Sequence, residues 1–186
     1  MLGVLRSAGS HRQEACMISR RRLLGAALLV PIEGLAETCG VITPRQTEGP
    51  FYTPNSPLRA TLVEGSEKTR FVLAGRVLSP QCKPVPNALV DLWHCDEEGT
   101  YDNHGFRYRG HQFTDSEGRY RFETIVPALY PGRTRHFHVK FQPRGGRLLT
   151  TQLYWPNEPA NQRDSIYRRE LEMRLAKGEG AFDFVV

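Results

Sequence analysis

The 186-residue sequence has no apolar run long enough to hold it in a bilayer, no low-complexity tract, no block of like charge and no internal repeat. No membrane-spanning helical anchor of the mature chain and no repeat architecture are expected. Positive charge is also scarcer than the formal net of +5 implies. Residues 1–36 hold five basic groups (Arg6, Arg12, Arg20, Arg21, Arg22) against Glu14 and Glu33, and the rest carries 20 basic and 18 acidic groups. A surplus of two charges gives no electrostatic case for a nucleic-acid partner. Helical patterning is rare, with only Ser165 to Lys177 resembling a helix. Cysteine is sparse too. Of four, Cys39, Cys82 and Cys95 lie beyond residue 36, an odd number that leaves one thiol free or bonded to another chain. Cys82 with Cys95 is the least favoured pair, because one strand over residues 88–95 would hold its ends roughly 25 Å apart.

What is present begins with a leader. Ser19-Arg20-Arg21-Arg22 precedes a short apolar run ending at Pro31, and Gly34 and Ala36 are small residues at the −3 and −1 positions of a cut after Ala36. This pattern predicts an export signal over residues 1–36, and its opening resembles the twin-arginine type. Met17 is an alternative start, since residues 1–16 add nothing that export requires. The expected location is periplasmic or extracellular. Residues 37–70, rich in proline and turn formers around Phe51 and Tyr52, predict an ordered arm laid over the body.

Residues 71–186 predict the main domain. Strands are expected at Phe71–Leu78, Ala88–Cys95, from His111 to Thr114, Arg119–Ile125, through His136 to Phe141, Leu148–Trp155 and Ala181–Val186. Seven or so short strands joined by turns make an all-β, antiparallel sandwich with long loops and at most one short helix. The polar stretch Asp96–Gly110 is a loop of the kind that carries function.

The most informative stretch is Tyr130-Pro131-Gly132-Arg133-Thr134-Arg135-His136-Phe137-His138. On a strand, alternate side chains share a face, so His136 and His138 point the same way. The turn at Pro131-Gly132 lets Tyr130 approach them. Two imidazoles, a phenol and Arg133 make a plausible half of a metal site, and a half-exposed strand bearing two histidines is an equal alternative on these residues alone. If the following hairpin has the three-residue loop Arg144-Gly145-Gly146, His138 faces Gln152 and His136 faces Tyr154. A two-residue loop would put Leu153 there instead.

The run from Gly75 to Tyr130, with Thr114-Asp115-Ser116-Glu117-Gly118-Arg119-Tyr120-Arg121-Phe122, resembles transthyretin-like sandwiches, most of which bind or brace without catalysis. Added to it are Tyr101 at the end of Trp93-His94-Cys95-Asp96-Glu97-Glu98-Gly99-Thr100, the Tyr130-Pro131-Gly132-Arg133 turn and the His136-Phe137-His138 pair. Together these resemble the intradiol ring-cleaving dioxygenases, the family of protocatechuate 3,4-dioxygenase and catechol 1,2-dioxygenase, from about Thr47 to the end. The resemblance implies Fe(3+) held by Tyr101, Tyr130, His136 and His138. It implies Tyr130 as the ligand that leaves and serves as base, Arg133 as the group that stabilises charge on the ring, and Gln152 as a substrate-orienting residue. The implied partners are a small aromatic diol and O2, with the ring opened between its hydroxyls to a cis,cis-muconate-type diacid. Thr47-Glu48-Gly49-Pro50-Phe51-Tyr52 matches the family's N-terminal arm. The helical domain of catechol 1,2-dioxygenases is lacking, and a homo- or hetero-oligomer is left open. The rival reading is a secreted, non-catalytic sandwich module that binds sugar or protein.

Overall fold

A computed structural model describes residues 39–65, 67 and 69–186. These belong to the second of two compact units of the chain, Leu35–Val186. The expected export signal at residues 1–36 lies outside the described residues. No helix among the described residues is long and apolar enough to cross a membrane.

Among the described residues, nine strands form two facing sheets: β1 (Phe71–Leu78), β2 (Leu89–Trp93), β3 (Arg109–Phe113), β4 (Arg119–Thr124), β5 (His136–Gln142), β6 (Leu149–Tyr154), β7 (Arg174–Ala176), β8 (Glu179–Ala181) and β9 (Phe184–Val185). One sheet runs β4-β1-β8-β7, with β9 also on β1, and the other runs β3-β2-β5-β6. Period-two alternation turns Leu73, Val77 and Phe122 of the first sheet toward Val90, Leu92, Phe137, Val139, Phe141 and Leu153 of the second, all fully buried. Phe137 stands between the two histidines of β5 and packs on Phe71, Trp155 and His94. Burying its ring is worth about 1.5–3 kcal/mol and anchors that strand.

Three expectations need correction. The sandwich is not wholly antiparallel, because β8 and β9 pair with β1 in parallel. The terminal strand also starts earlier than expected and is split in two around Phe182 and Asp183. A Cβ on Gly75 would stand 1.8 Å from the Phe182 carbonyl oxygen, and Asp183 Oδ1 accepts the Arg76 N–H at 2.9 Å. This close approach needs glycine and kinks the terminal strand.

The third correction is the helix at 165–177. That segment contains the 3-10 turn Arg169–Leu171 and strand β7, and a second 3-10 turn occupies Pro159–Arg163. Leu171 and Met173, two residues apart, both enter the core, and the Met173 N–H donates to the Tyr154 carbonyl. Apart from the i→i−3 bonds of the short turns, backbone groups here pair with β6 and β8, and no α-helical ladder forms.

The hairpin after β5 has the three-residue register: His138 faces Gln152, and His136 faces Tyr154. The N-terminal segment is tied along the body, with Thr43 bonded to Val185, Gln46 to Thr150, Arg59 to His111 and Leu62 to Glu123. Cys39 is disulfide-bonded to Cys82, and Cys95 is free and buried.

Candidate metal centre

The outer face of the β3-β2-β5-β6 sheet, turned away from the apolar core, carries His136 and His138. Two loops bring phenols to them. Tyr101 follows β2, and the loop bearing it meets the Tyr130 turn at Gly99, whose φ is +83°. A Cβ on Gly99 would lie 3.0 Å from the Leu129 carbonyl oxygen and 3.2 Å from Tyr130 Cβ, so only glycine lets the two tyrosine-bearing segments touch. Phe51 of the arm stacks on the Tyr101 ring at 4.5 Å, and the indole of Trp93 lies flat on the His138 imidazole at 4.8 Å.

Four donor atoms converge. His136 Nε2 is 3.4 Å from Tyr101 Oη, 3.3 Å from Tyr130 Oη and 3.1 Å from His138 Nε2. His136 Nδ1 is 2.6 Å from the Thr134 carbonyl oxygen, an acceptor, so the proton sits on Nδ1 and the Nε2 lone pair is free. Three polar groups crowd one lone pair. His138 Nδ1 is buried without a hydrogen bond among the described residues.

Burial, and after it the Arg133 guanidinium, hold the His136 imidazole down at about 3. Burial and then His136 hold His138 well below its ordinary value. Burial pushes both phenols up, Tyr101 with the second phenol beside it and Tyr130 against the opposing pull of Arg133. Left to itself the cluster is four neutral rings with their polar atoms aimed inward. A cation reverses the phenol shift, since a bound metal stabilises phenolate. A metal about 2 Å from each donor sets neighbouring donors about 3 Å apart, the spacing observed. No group of three or more His, Cys, Asp or Glu among the described residues is arranged to hold a metal, so phenol oxygens are half of this donor set.

Arg133 lies beside the cluster. Its Nη1 donates to Tyr130 Oη at 3.3 Å, its Nη2 to Gln152 Oε1, and its Nε to Asp164 Oδ2 at 2.9 Å. Asp164 also accepts N–H bonds from Thr134 and Ile166. Burial pushes that carboxyl up, but these donors and Arg133 outweigh it and hold it below the ordinary carboxylate range. Gln152 is fully buried. Its Oε1 also takes the Tyr154 hydroxyl at 3.0 Å, and its Nε2 donates to the Thr47 carbonyl at 3.1 Å. A cavity of about 160 Å³ opens on Tyr130 and Arg133, walled by Leu129, Gly132, Ala160, Arg163 and Asp164. Its volume is comparable to the roughly 150 Å³ of an enclosed cavity that takes a benzene ring.

The structure thus brings together all six residues singled out in the sequence: Tyr101, Tyr130, Arg133, His136, His138 and Gln152. Sequence reasoning missed Asp164, 31 residues from the Arg133 that it holds, and Gln46, 108 residues from the Tyr154 hydroxyl that it accepts; Tyr154 lies opposite His136 as expected, but its hydrogen bond to Gln152 was not foreseen. Asp164 alone left a trace, ending a proline-initiated turn.

A β-sandwich whose sheet carries a cluster of two phenols and two imidazoles presents an N/O donor set of the kind that suits a hard metal ion. Residues 47–178 match the dioxygenase family. The chain belongs to that family, the intradiol ring-cleavage dioxygenases. It is 38% identical over 117 residues to the protocatechuate 3,4-dioxygenase beta chain of Burkholderia cepacia, covering 53% of this chain and 50% of that one. It is 30% identical over 155 residues to catechol 1,2-dioxygenase of Acinetobacter baylyi, covering 67% and 50%. The chain spans about half the length of these curated relatives. Among solved structures, the dioxygenase domain of a dioxygenase and carbohydrate-binding protein fusion from Streptomyces sp. SirexAA-E superposes with a TM-score of 0.75 at 48% identity. It covers 78% of this chain and 98% of that domain.

Proposed function

We propose that this chain cleaves a catechol-type ring between its two hydroxyls with O2, giving a cis,cis-muconate-type diacid, at ferric iron held by Tyr101, Tyr130, His136 and His138. The observation that carries the reading is the convergence of four donor atoms from three separate segments on one point, with spacings of 3.1–3.4 Å about His136 Nε2. Two phenolates and two neutral imidazoles form a set that favours ferric iron, and zinc seldom recruits two tyrosines. Iron bound there supplies the Lewis acidity that makes a chelated diol reactive toward O2.

The chain's own residues divide the remaining work. Tyr130 lines the cavity and is half-buried, whereas Tyr101 is buried under Phe51. Tyr130 is therefore the phenol free to move aside and take a diol proton on Oη. Arg133, with Nη1 at the Tyr130 oxygen, stands where negative charge develops on the ring and stabilises it. Gln152 is bonded at both ends of its amide and holds the Arg133 fork in place. Asp164 does the same from the other edge.

Export is the location that fits the leader, and a Cys39–Cys82 disulfide suits an oxidising compartment. The test of function is product identity. Iron-loaded protein incubated with a panel of catechols in air is expected to yield muconate-type diacids from at least one of them. Ring opening outside the two hydroxyls, or no product from any diol, contradicts the reading.

A further inference from the structure

Arg109 sits at the start of β3, directly across the ladder from Trp93, and is only 1% exposed. No carboxylate among the described residues forms an ion pair with it. Its Nη1 donates to the Phe51 carbonyl at 2.6 Å and its Nε to the Asp102 carbonyl at 2.9 Å. Nη2 is buried without a hydrogen bond, and the guanidinium carbon stands 5.9 Å from the centroid of the Tyr101 ring. Burying a cation without an anion in contact is expensive. Fastening two carbonyls alone would not require the charge, since a neutral amide donates as well.

The Tyr101 ring supplies the explanation. Asp102 is its neighbour in sequence, and Phe51 is the residue stacked on it. Arg109 therefore grips both segments that fix the ring and sets a positive charge within cation–π range of it. That charge is costly beside a neutral phenol and favourable beside a phenolate.

We propose that Arg109 is the positioning residue for Tyr101, clamping its ring between two carbonyl anchors and stabilising its anionic form when metal is bound. The inference rests on the reading of Tyr101 as an iron ligand. It is tested by titrating ferric iron into wild type, Arg109→Met and Arg109→Lys, following the visible tyrosinate-to-iron charge-transfer band, with circular dichroism of each apo protein as the check of fold.

Arg109→Met is expected to bind iron about 10- to 100-fold more weakly. Its band is expected to move to longer wavelength, because the positive charge that lowers the phenolate orbitals is gone. Arg109→Lys keeps the charge but cannot span both carbonyls, so its band stays near the wild-type position while affinity falls. A folded Arg109→Met with wild-type band and affinity overturns the proposal, and so does an Arg109→Lys that binds iron as tightly as wild type. Absence of any band in the wild type would instead refute Tyr101 as a ligand, and the inference would fall with it.

Discussion

Asp164 grips the edge of Arg133 opposite the metal cluster: Oδ2 accepts the Nε–H at 2.9 Å while Nη1 of the same guanidinium meets Tyr130 Oη at 3.3 Å. The pair couples a buried carboxylate on the segment after β6 to the phenol that opens on the cavity. It also explains how an arginine on a tight turn is kept in one orientation, since Gln152 and Asp164 occupy two of its edges and leave the third for the site.

Asp164→Asn is expected to lower turnover about 10- to 100-fold with little change in iron content, because it frees Arg133 to leave Tyr130 without touching a ligand. Steady-state kinetics with an iron assay on the same samples checks this. Loss of iron in parallel with activity would place Asp164 in metal retention instead.

Gln152→Leu leaves the Arg133 Nη2 without its acceptor and the Thr47 carbonyl without its donor, while the Tyr154 hydroxyl keeps Gln46 and Ile166. The expected cost is about 1–3 kcal/mol of folding stability, with activity falling as well. Urea unfolding of the apo protein measures it. Unchanged stability would mean that the hydrogen bonds are not made.

Stability should fall as pH drops below about 6.5. Burial holds His136 at about 3, His94 at about 4 and His138 well below its usual value, so these imidazoles stay neutral when folded and gain protons only when unfolded. The unfolded state then binds more protons over that window. The loss is on the order of 1 kcal/mol per pH unit for each imidazole. Apo-protein unfolding between pH 7 and 5 reads the slope, and a flat profile would contradict the burial of these rings.

The Cys39–Cys82 disulfide closes a loop of 43 residues in sequence separation and clips the start of the arm to the loop after β1. Its removal by Cys39→Ser is expected to cost about 2–4 kcal/mol without unfolding the sandwich. Thermal unfolding with and without the substitution gives the figure, and no change would show that the arm is held by its other contacts alone.

The legible part of this protein was the part written locally. Alternation placed His136 and His138 on one face, and the Arg144-Gly145-Gly146 loop fixed the pairing that put Gln152 beside them. The expected helix at 165–177 failed because its apolar residues also satisfy period two, and which period wins depends on whether β6 and β8 offer backbone partners. Parallel pairing of β8 and β9 with β1 was likewise hidden, since nothing in a strand's own residues records the direction of its neighbour. Asp164 holds Arg133 from 31 residues along the chain, and no motif joins the two.

A ferric iron titration of the purified protein tests most directly whether the four rings meet at one metal ion. The predicted result is a reddish protein whose visible charge-transfer band saturates at a single iron per chain and is lost or sharply weakened in Tyr101→Phe and His138→Ala, both still folded. A colourless protein that is nonetheless replete with iron, or a full-strength band in either variant, would contradict it.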